Sequence, residues 1–167
     1  MFLKKLFSSF RYAFTGVFSS IKNERNFRIH LTAILYVTYF AMLYGLEPLG
    51  WAVLALTCAF VLSNELMNTA VEECIDFKSS EWDPHAKLSK DNAAASVLIA
   101  ALSAIVVACF LFSDGEKLLA AWKLLISTPR IFIIGSSLIG AAFFVFGFRS
   151  NEKKIPEQNV KEERKQP

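Results

Sequence analysis

The chain has 167 residues, enough for one domain, and 54% of them are hydrophobic, including 16 phenylalanines. This composition lies outside the range of ordinary soluble domains and is typical of membrane proteins. The formal net charge is only +3, and the basic residues gather at segment ends instead of forming a stripe with interleaved aromatic residues, so nothing favours nucleic-acid binding.

Residues 1–22 are predicted to form an amphipathic helix that lies in the membrane interface. A secretory signal peptide fits less well, because serines and Arg11 interrupt its apolar core and no small-residue cleavage site follows. A helix packed on other protein would show the same periodicity and stays open as an alternative. The apolar residues that recur at helical intervals are Leu3, Leu6, Phe7, Phe10, Phe14, Val17, Phe18 and Ile21.

Residues 23–113 are predicted to form a core of three spanning helices. The first two uncharged runs fall short of the roughly 20 residues that cross a bilayer, but both extend into their flanks. A turn at 45–50 that contains glycine and proline joins them into a helical hairpin. A polar segment, 77–91, separates the second span from the third. The three uncharged runs are 31–46, 48–63 and 92–113.

The C-terminal part of the chain adds further segments to this core. Residues 114–148 are predicted to form an extra loop with a short interfacial helix, followed by a fourth spanning helix over 131–148. Residues 149–167 form a charged tail without the apolar content of a packed segment. The predicted fold class is therefore all-α, a polytopic helical membrane protein.

The distribution of lysine and arginine predicts the orientation of the chain. Basic residues precede the first span, follow the second and populate the tail, whereas the first turn carries Glu47 alone. Lys117, Lys123 and Arg130 on the opposite side weaken this contrast without reversing it. Both termini and segment 77–91 are therefore predicted to be cytoplasmic, where ATP and magnesium are available. This arrangement suits the inner, or only, plasma membrane of a bacterium.

An apolar run passes directly into acidic residues in the stretch 64–76. At about 100° per residue, its polar side chains Glu65, Asn68, Glu72 and Asp76 fall within an arc of roughly 80° on one helix face. Ionisable groups at membrane depth are costly unless they face a bundle interior or water. This face is therefore a candidate functional site.

The chemistry of these residues fits phosphoryl transfer. Carboxylates without histidine or cysteine partners favour Mg²⁺, which binds through one or two carboxylates and substrate phosphates. Glu24 and Glu72 could ligate the metal, and Lys90 could neutralise phosphate charge. Glu65 could accept the proton of an attacking hydroxyl. The scattered glycines form neither GxGxxG nor a Walker loop, so nucleotide phosphates would be held without either.

Three blocks of the sequence resemble the signature blocks of the small prokaryotic diacylglycerol kinase and undecaprenol kinase family. They are NERNFR at 23–28, ELMNTAVE at 65–72 followed by Asp76, and HAKLSKD at 85–91 followed by small and apolar residues. The resemblance extends over roughly residues 10–112 in order and spacing. Each block alone is a weak signal, but the combination is specific.

The resemblance implies an integral-membrane lipid kinase that transfers the γ-phosphoryl of MgATP to the hydroxyl of diacylglycerol or a related lipid alcohol such as undecaprenol. It also implies a homotrimer with composite active sites between subunits. The segments after residue 112 depart from the family pattern, and the run 26–30 is more like that of the undecaprenol-type members. The implied roles are Glu65 as general base, Asn68, Asp76, Lys90 and Asp91 as nucleotide contacts, and Glu24 and Glu72 as Mg²⁺ ligands.

Two other function classes stay open from the residues alone. In a channel or transporter, Glu65, Asn68 and Glu72 would line an ion path, but such a path would carry polar residues across its full depth. A structural protein with an acidic docking face would give no reason for polar groups at membrane depth. The lipid kinase is therefore the leading hypothesis.

Overall fold

The computed structural model describes residues 2–78 and 82–147, and no strand occurs within them. This confirms the predicted all-α class, while the predicted tail, 149–167, lies outside the described residues. The helices are α1 (Phe2–Asn23), α2 (Arg25–Tyr44), α3 (Pro48–Lys78), α4 (Pro84–Leu111), α5 (Gly115–Leu125) and α6 (Thr128–Gly147).

Three of these helices, α2, α3 and α4, are long and apolar enough to cross a membrane. Long apolar helices therefore form where the three core spans are predicted. The apolar stretch Ile133–Gly147 of α6 is shorter, so the fourth span stays a prediction. The N-terminal helix forms as α1 and leaves Phe7, Phe10 and Phe14 exposed, as an amphipathic helix without a covering partner would.

The turn between α2 and α3 follows from its sequence. Gly45 adopts φ 70°, a left-handed conformation that glycine reaches without the steric cost of a Cβ. Its N–H donates to the Met42 carbonyl at 3.3 Å, and the Leu46 N–H donates to the Ala41 carbonyl at 3.2 Å. These two bonds form a Schellman motif. Pro48, which is suited to the first helical position, then begins α3, and the predicted helical hairpin is confirmed.

The polar segment 77–91, predicted as a break between spans, is mostly helical. The helix α3 continues to Lys78, and α4 begins at Pro84, well before the uncharged run. Asp83 is the N-cap of α4, and its Oδ1 accepts the backbone N–H of His85 at 2.8 Å. An aspartate followed by proline is a strong helix start, which outweighs the polarity of the residues after it. The polar residues at both ends are therefore held on packed helices.

The C-terminal helices pack along α2. At one end of α2, the rings of Phe40, Tyr44 and Phe112 form edge contacts, and the Tyr44 hydroxyl accepts the backbone N–H of Asp114 at 3.0 Å. The predicted short helix in this region is confirmed as α5. Because α5 and α6 both contact α2, these two helices are packed onto the core.

The helices α2 and α6 run antiparallel. The guanidinium of Arg28 donates to the Val145 carbonyl at 3.1 and 3.3 Å, and the Tyr36 and Ser137 hydroxyls lie 3.0 Å apart. The two contacts are separated by eight residues on each helix, which corresponds to about 12 Å of helix length. The C-terminal end of α6 therefore lies at the same end of the bundle as the start of α2.

Candidate active site

Glu65 is buried in α3, one of the helices that are long and apolar enough to cross a membrane. Only 2% of the residue is exposed. Its Oε2 lies 3.9 Å from Nε2 of His30 on α2, which is longer than a hydrogen bond. The burial of Glu65 agrees with its prediction as a site residue. A carboxyl group buried in an apolar helix costs free energy, so such a group is a candidate for a functional role.

Asn68 and Glu72 are joined one turn further along α3. The Nδ2 of Asn68 donates to Oε1 of Glu72 at 3.0 Å. Asn68 is 6% exposed, and its Oδ1 is buried without a hydrogen-bond partner among the described residues. Buried acceptors are nearly always satisfied, so an unpaired one at a candidate site indicates room for a donor or a cation.

Glu24 contributes a carboxylate from the junction of α1 and α2. It is the N-cap of α2, yet its side chain makes no capping hydrogen bond. Burial raises the pKa of Glu24, the carboxylates of Glu72 and Glu73 raise it further, and Arg28 partly opposes the change. The predicted metal ligands Glu24, at the start of α2, and Glu72, on α3, therefore interact electrostatically, and Arg28 only partly balances the charge of Glu24.

These residues fit a magnesium ion that arrives with phosphates. The described residues contain no group of three or more acidic, histidine or cysteine side chains that would hold a metal by themselves. Mg²⁺ does not need such a cage, because it commonly binds one or two carboxylates and completes its shell with substrate phosphates and water. Glu24, Glu72 and the unpaired Oδ1 of Asn68 supply oxygen donors of the right chemical type.

Two of the predicted nucleotide contacts, Lys90 and Asp76, form an ion pair that joins α4 to the last turns of α3. Both side chains retain solvent access, and Asp91 beside them is exposed. A cavity of about 200 Å³ adjoins the pair and is also lined by Trp82 and Lys87. Neither of these two residues was predicted as a site residue from the sequence.

An apolar cavity of about 310 Å³ lies between α2, α3 and α4. One of its lining residues is His30, which is also the neighbour of Glu65. An acyl chain in this cavity would place a polar headgroup on the side of His30 and Glu65. The other lining residues include Ile34, Val37, Leu54, Val61, Ala104 and Leu111.

Arg28 is a further residue that was not predicted to have a role at the site. It is 2% exposed, and its guanidinium donates hydrogen bonds to carbonyls of α1 and α6. The sequence signal for Arg28 was its position: it is a charged residue at the end of the block 23–28, directly before an apolar run.

Comparison with known proteins supports the family resemblance. Residues 11–112 match the family model of prokaryotic diacylglycerol kinase. The diacylglycerol kinase of Synechocystis sp. is 44% identical over 103 residues, a match that covers 61% of this chain and 59% of that protein. No solved structure matches the chain.

Two other relatives extend the comparison. The undecaprenol kinase of Bacillus subtilis is 32% identical over 110 residues, covering 66% of this chain and 89% of that protein. The diacylglycerol kinase of Escherichia coli K12 is 28% identical over 100 residues, covering 60% of this chain and 82% of that protein. These matches favour the lipid-kinase class over the channel alternative. The chain belongs to the prokaryotic diacylglycerol kinase family, and it is by class a membrane lipid kinase.

Proposed function

We propose that this chain transfers the γ-phosphoryl of MgATP to the hydroxyl of a membrane lipid alcohol, diacylglycerol or undecaprenol. The observation that carries the proposal is the position of Glu65, buried in an apolar helix with an apolar cavity on one side and the Asn68–Glu72 pair on the other. A lipid hydroxyl would approach Glu65 from the apolar side and a nucleotide phosphate from the polar side, so the two groups can meet at this residue.

In the proposed reaction, Glu65 is the general base. Its carboxylate accepts the proton of the lipid hydroxyl while the hydroxyl oxygen forms a bond to the γ-phosphorus. The bond between that phosphorus and the bridging oxygen of ATP breaks, and ADP leaves with the bonding electrons. His30 lies 3.9 Å from Glu65 and lines the apolar cavity, so it borders the path of the headgroup without a proposed role in proton transfer.

Glu24 and Glu72 are the proposed Mg²⁺ ligands. When bound with ATP, the ion neutralises phosphate charge and orients the transferred group. Asn68 orients Glu72 through its Nδ2 and leaves Oδ1 available to a donor. The incomplete charge balance between Glu24 and its acidic neighbours supports this role, because a divalent cation would relieve it.

Lys90, Asp91 and Asp76 are the proposed nucleotide contacts, beside the ligating end of α3. The ammonium of Lys90 has three donors, so it can bind a phosphate oxygen without releasing Asp76. Asp76 thereby positions Lys90 at the junction of α3 and α4. Asp91, exposed on the next position, is available to a polar group of the nucleotide.

The chain is proposed to lie in the bacterial inner membrane as a homotrimer, with the N-terminus and the active site cytoplasmic. The resemblance to the family supports the trimer, and the basic residues of the sequence support the orientation. The antiparallel contacts between α2 and α6 support the predicted fourth span over 131–148, which would return the charged tail to the cytoplasmic side.

A labelling experiment tests this function. Protein purified in detergent is given Mg²⁺, ATP radiolabelled at the γ-position, and either diacylglycerol or undecaprenol. The proposal predicts labelled lipid from one substrate or both, and the ratio of the two rates identifies the preferred lipid. Absence of labelled lipid with both substrates would refute the proposed reaction.

A further inference from the structure

Arg28 is a buried cation whose guanidinium is shared between two helix ends. One terminal nitrogen donates to the carbonyls of Ile21 and Lys22, at 3.1 and 3.0 Å, in the last turn of α1. The other two nitrogens donate to the Val145 carbonyl near the end of α6. Carbonyls in the last turn of a helix lack intrahelical partners and carry partial negative charge, so both helix ends attract this cation.

Glu24 lies at the junction of α1 and α2, which the hydrogen bonds of Arg28 connect. This residue lies between α1 and α2 with extended backbone angles, φ −100° and ψ 114°. Its N–H donates to the Ser20 carbonyl at 2.8 Å, and its carbonyl accepts the Arg28 N–H at 3.3 Å. The direction of the Glu24 side chain is therefore set by the angle between α1 and α2. Arg28 belongs to α2, and its guanidinium donates hydrogen bonds to the last turn of α1. These bonds therefore fix the angle between the two helices.

The end of α6 belongs to the same region. A polar cavity of about 500 Å³ is lined by Glu24 and Arg28, and also by Val145 and Phe146 of α6. A planar guanidinium holds the carbonyl groups of two helices in fixed directions, which the single ammonium of lysine does not reproduce. The bonds of Arg28 thus join α1, α2 and α6 around the residue proposed to bind Mg²⁺.

We propose that Arg28 is a positioning residue for Glu24, and that α6 is a structural wall of the active site through its bond to Arg28. This inference rests on the proposed role of Glu24 as a metal ligand. It assigns a function to the C-terminal helix, which lies beyond the residues 11–112 that match the family. The substitution that tests it is Arg28→Lys, which keeps the positive charge and removes the planar, branched set of donors of the guanidinium.

The first measurement is a distance between α1 and α6. Spin labels are attached at the exposed positions Lys22→Cys and Phe143→Cys of the full chain, after replacement of its own cysteines. The distance distribution is recorded by pulsed electron paramagnetic resonance. We expect a narrow distribution with Arg28 and a broadened one with Arg28→Lys. An unchanged distribution would overturn the proposed brace. The cysteines to be replaced are Cys58, Cys74 and Cys109.

The second measurement is the affinity for Mn²⁺, a paramagnetic substitute for Mg²⁺, with a non-hydrolysable ATP analogue present. Arg28→Lys is expected to weaken Mn²⁺ binding by about tenfold, a typical effect of disturbing the support of a metal ligand. Tyr36→Phe is the control, because it removes a polar contact between α2 and α6 that lies away from Glu24. It should leave Mn²⁺ affinity unchanged.

A third variant tests the contribution of α6 itself and does not depend on Arg28→Lys folding. Phe143→Pro, at an exposed position of α6, kinks the helix at its last turn and moves the Val145 carbonyl away from Arg28. Ser137 lies more than one turn before the substitution, so its contact with Tyr36 is kept. Weakened Mn²⁺ binding is expected, whereas full affinity would overturn the role of α6. Absence of labelled lipid with the unaltered chain would instead refute the proposed function. Failure of the proposed function and failure of the proposed role of α6 are therefore distinguishable.

Discussion

The Nδ2 of Asn68 donates a hydrogen bond to Oε1 of Glu72 across 3.0 Å, and the Oδ1 of Asn68 is buried without a partner among the described residues. One side chain thus holds a proposed metal ligand and presents an unsatisfied acceptor beside it. The arrangement indicates that the polar face of α3 is shaped for a species other than the protein's own side chains.

Asn68→Ala should weaken magnesium use more than it weakens the fold. A hydrogen bond to a charged group contributes about 1.5–3 kcal/mol, so the Mg²⁺ concentration for half-maximal activity should rise roughly tenfold or more. Asn64→Ala is a matched control, because Asn64 lies one turn earlier and donates only to the Phe60 carbonyl, at 2.9 Å. Equal magnesium curves for Asn68→Ala and the unaltered chain would contradict the supporting role of Asn68.

Glu24→Gln should stabilise the fold at neutral pH while impairing activity. Burial and the carboxylates of Glu72 and Glu73 raise the pKa of Glu24 above its ordinary value of 4.5. Below that value Glu24 is neutral in both states, and the carboxylate has no effect on stability. As the pH rises, the unfolded chain ionises first, so the folded state loses stability until Glu24 is ionised in both states.

The measurement for Glu24→Gln is thermal unfolding in detergent at about pH 4 and about pH 7. The glutamine variant should unfold at the higher temperature only at neutral pH. Added Mg²⁺ with nucleotide should stabilise the unaltered chain and so reduce the difference between the two unfolding temperatures at neutral pH. Glu47→Gln, which alters an exposed carboxylate 3.4 Å from Lys117, should show neither effect. A lower unfolding temperature for Glu24→Gln at neutral pH would contradict the assigned charge imbalance.

Lys90→Ala should raise the KM for ATP with little loss of stability. Lys90 and Asp76 are both partly exposed, and an exposed ion pair contributes only about 0–1 kcal/mol to folding. The proposed phosphate contact is lost entirely, so the KM should rise roughly tenfold or more, as expected for a charged hydrogen bond. Lys123→Ala on α5 is the control. An unchanged KM for ATP would remove Lys90 from the nucleotide site.

Some of this structure was predictable because its causes are local. Gly45 and Pro48 mark the turn between α2 and α3 through their own backbone preferences. The helical spacing of Glu65, Asn68 and Glu72 places them on one face regardless of what packs against it. The long apolar runs likewise predict spans wherever their neighbours lie. These elements agree with the structure.

Other features depend on contacts between distant parts of the chain, which spacing does not reveal. The bond from Arg28 to Val145 joins residues of α2 and α6, and no local pattern in either helix requires it. The apolar cavity near His30 exists only where three helices meet. The early start of α4 was missed for a different reason, because the polarity of 77–91 was given more weight than the capping signal of Asp83.

The central claim is that Glu65 accepts the proton of a lipid hydroxyl. The most direct measurement compares the unaltered chain with Glu65→Gln in the labelling assay, with Glu73→Gln as an exposed control on the same helix. We expect Glu65→Gln to purify as a folded protein and to lose roughly 10²–10⁴-fold in kcat, the usual contribution of a general base. Glu73→Gln should retain most of the activity. Wild-type kcat in the folded Glu65→Gln variant would contradict the claim.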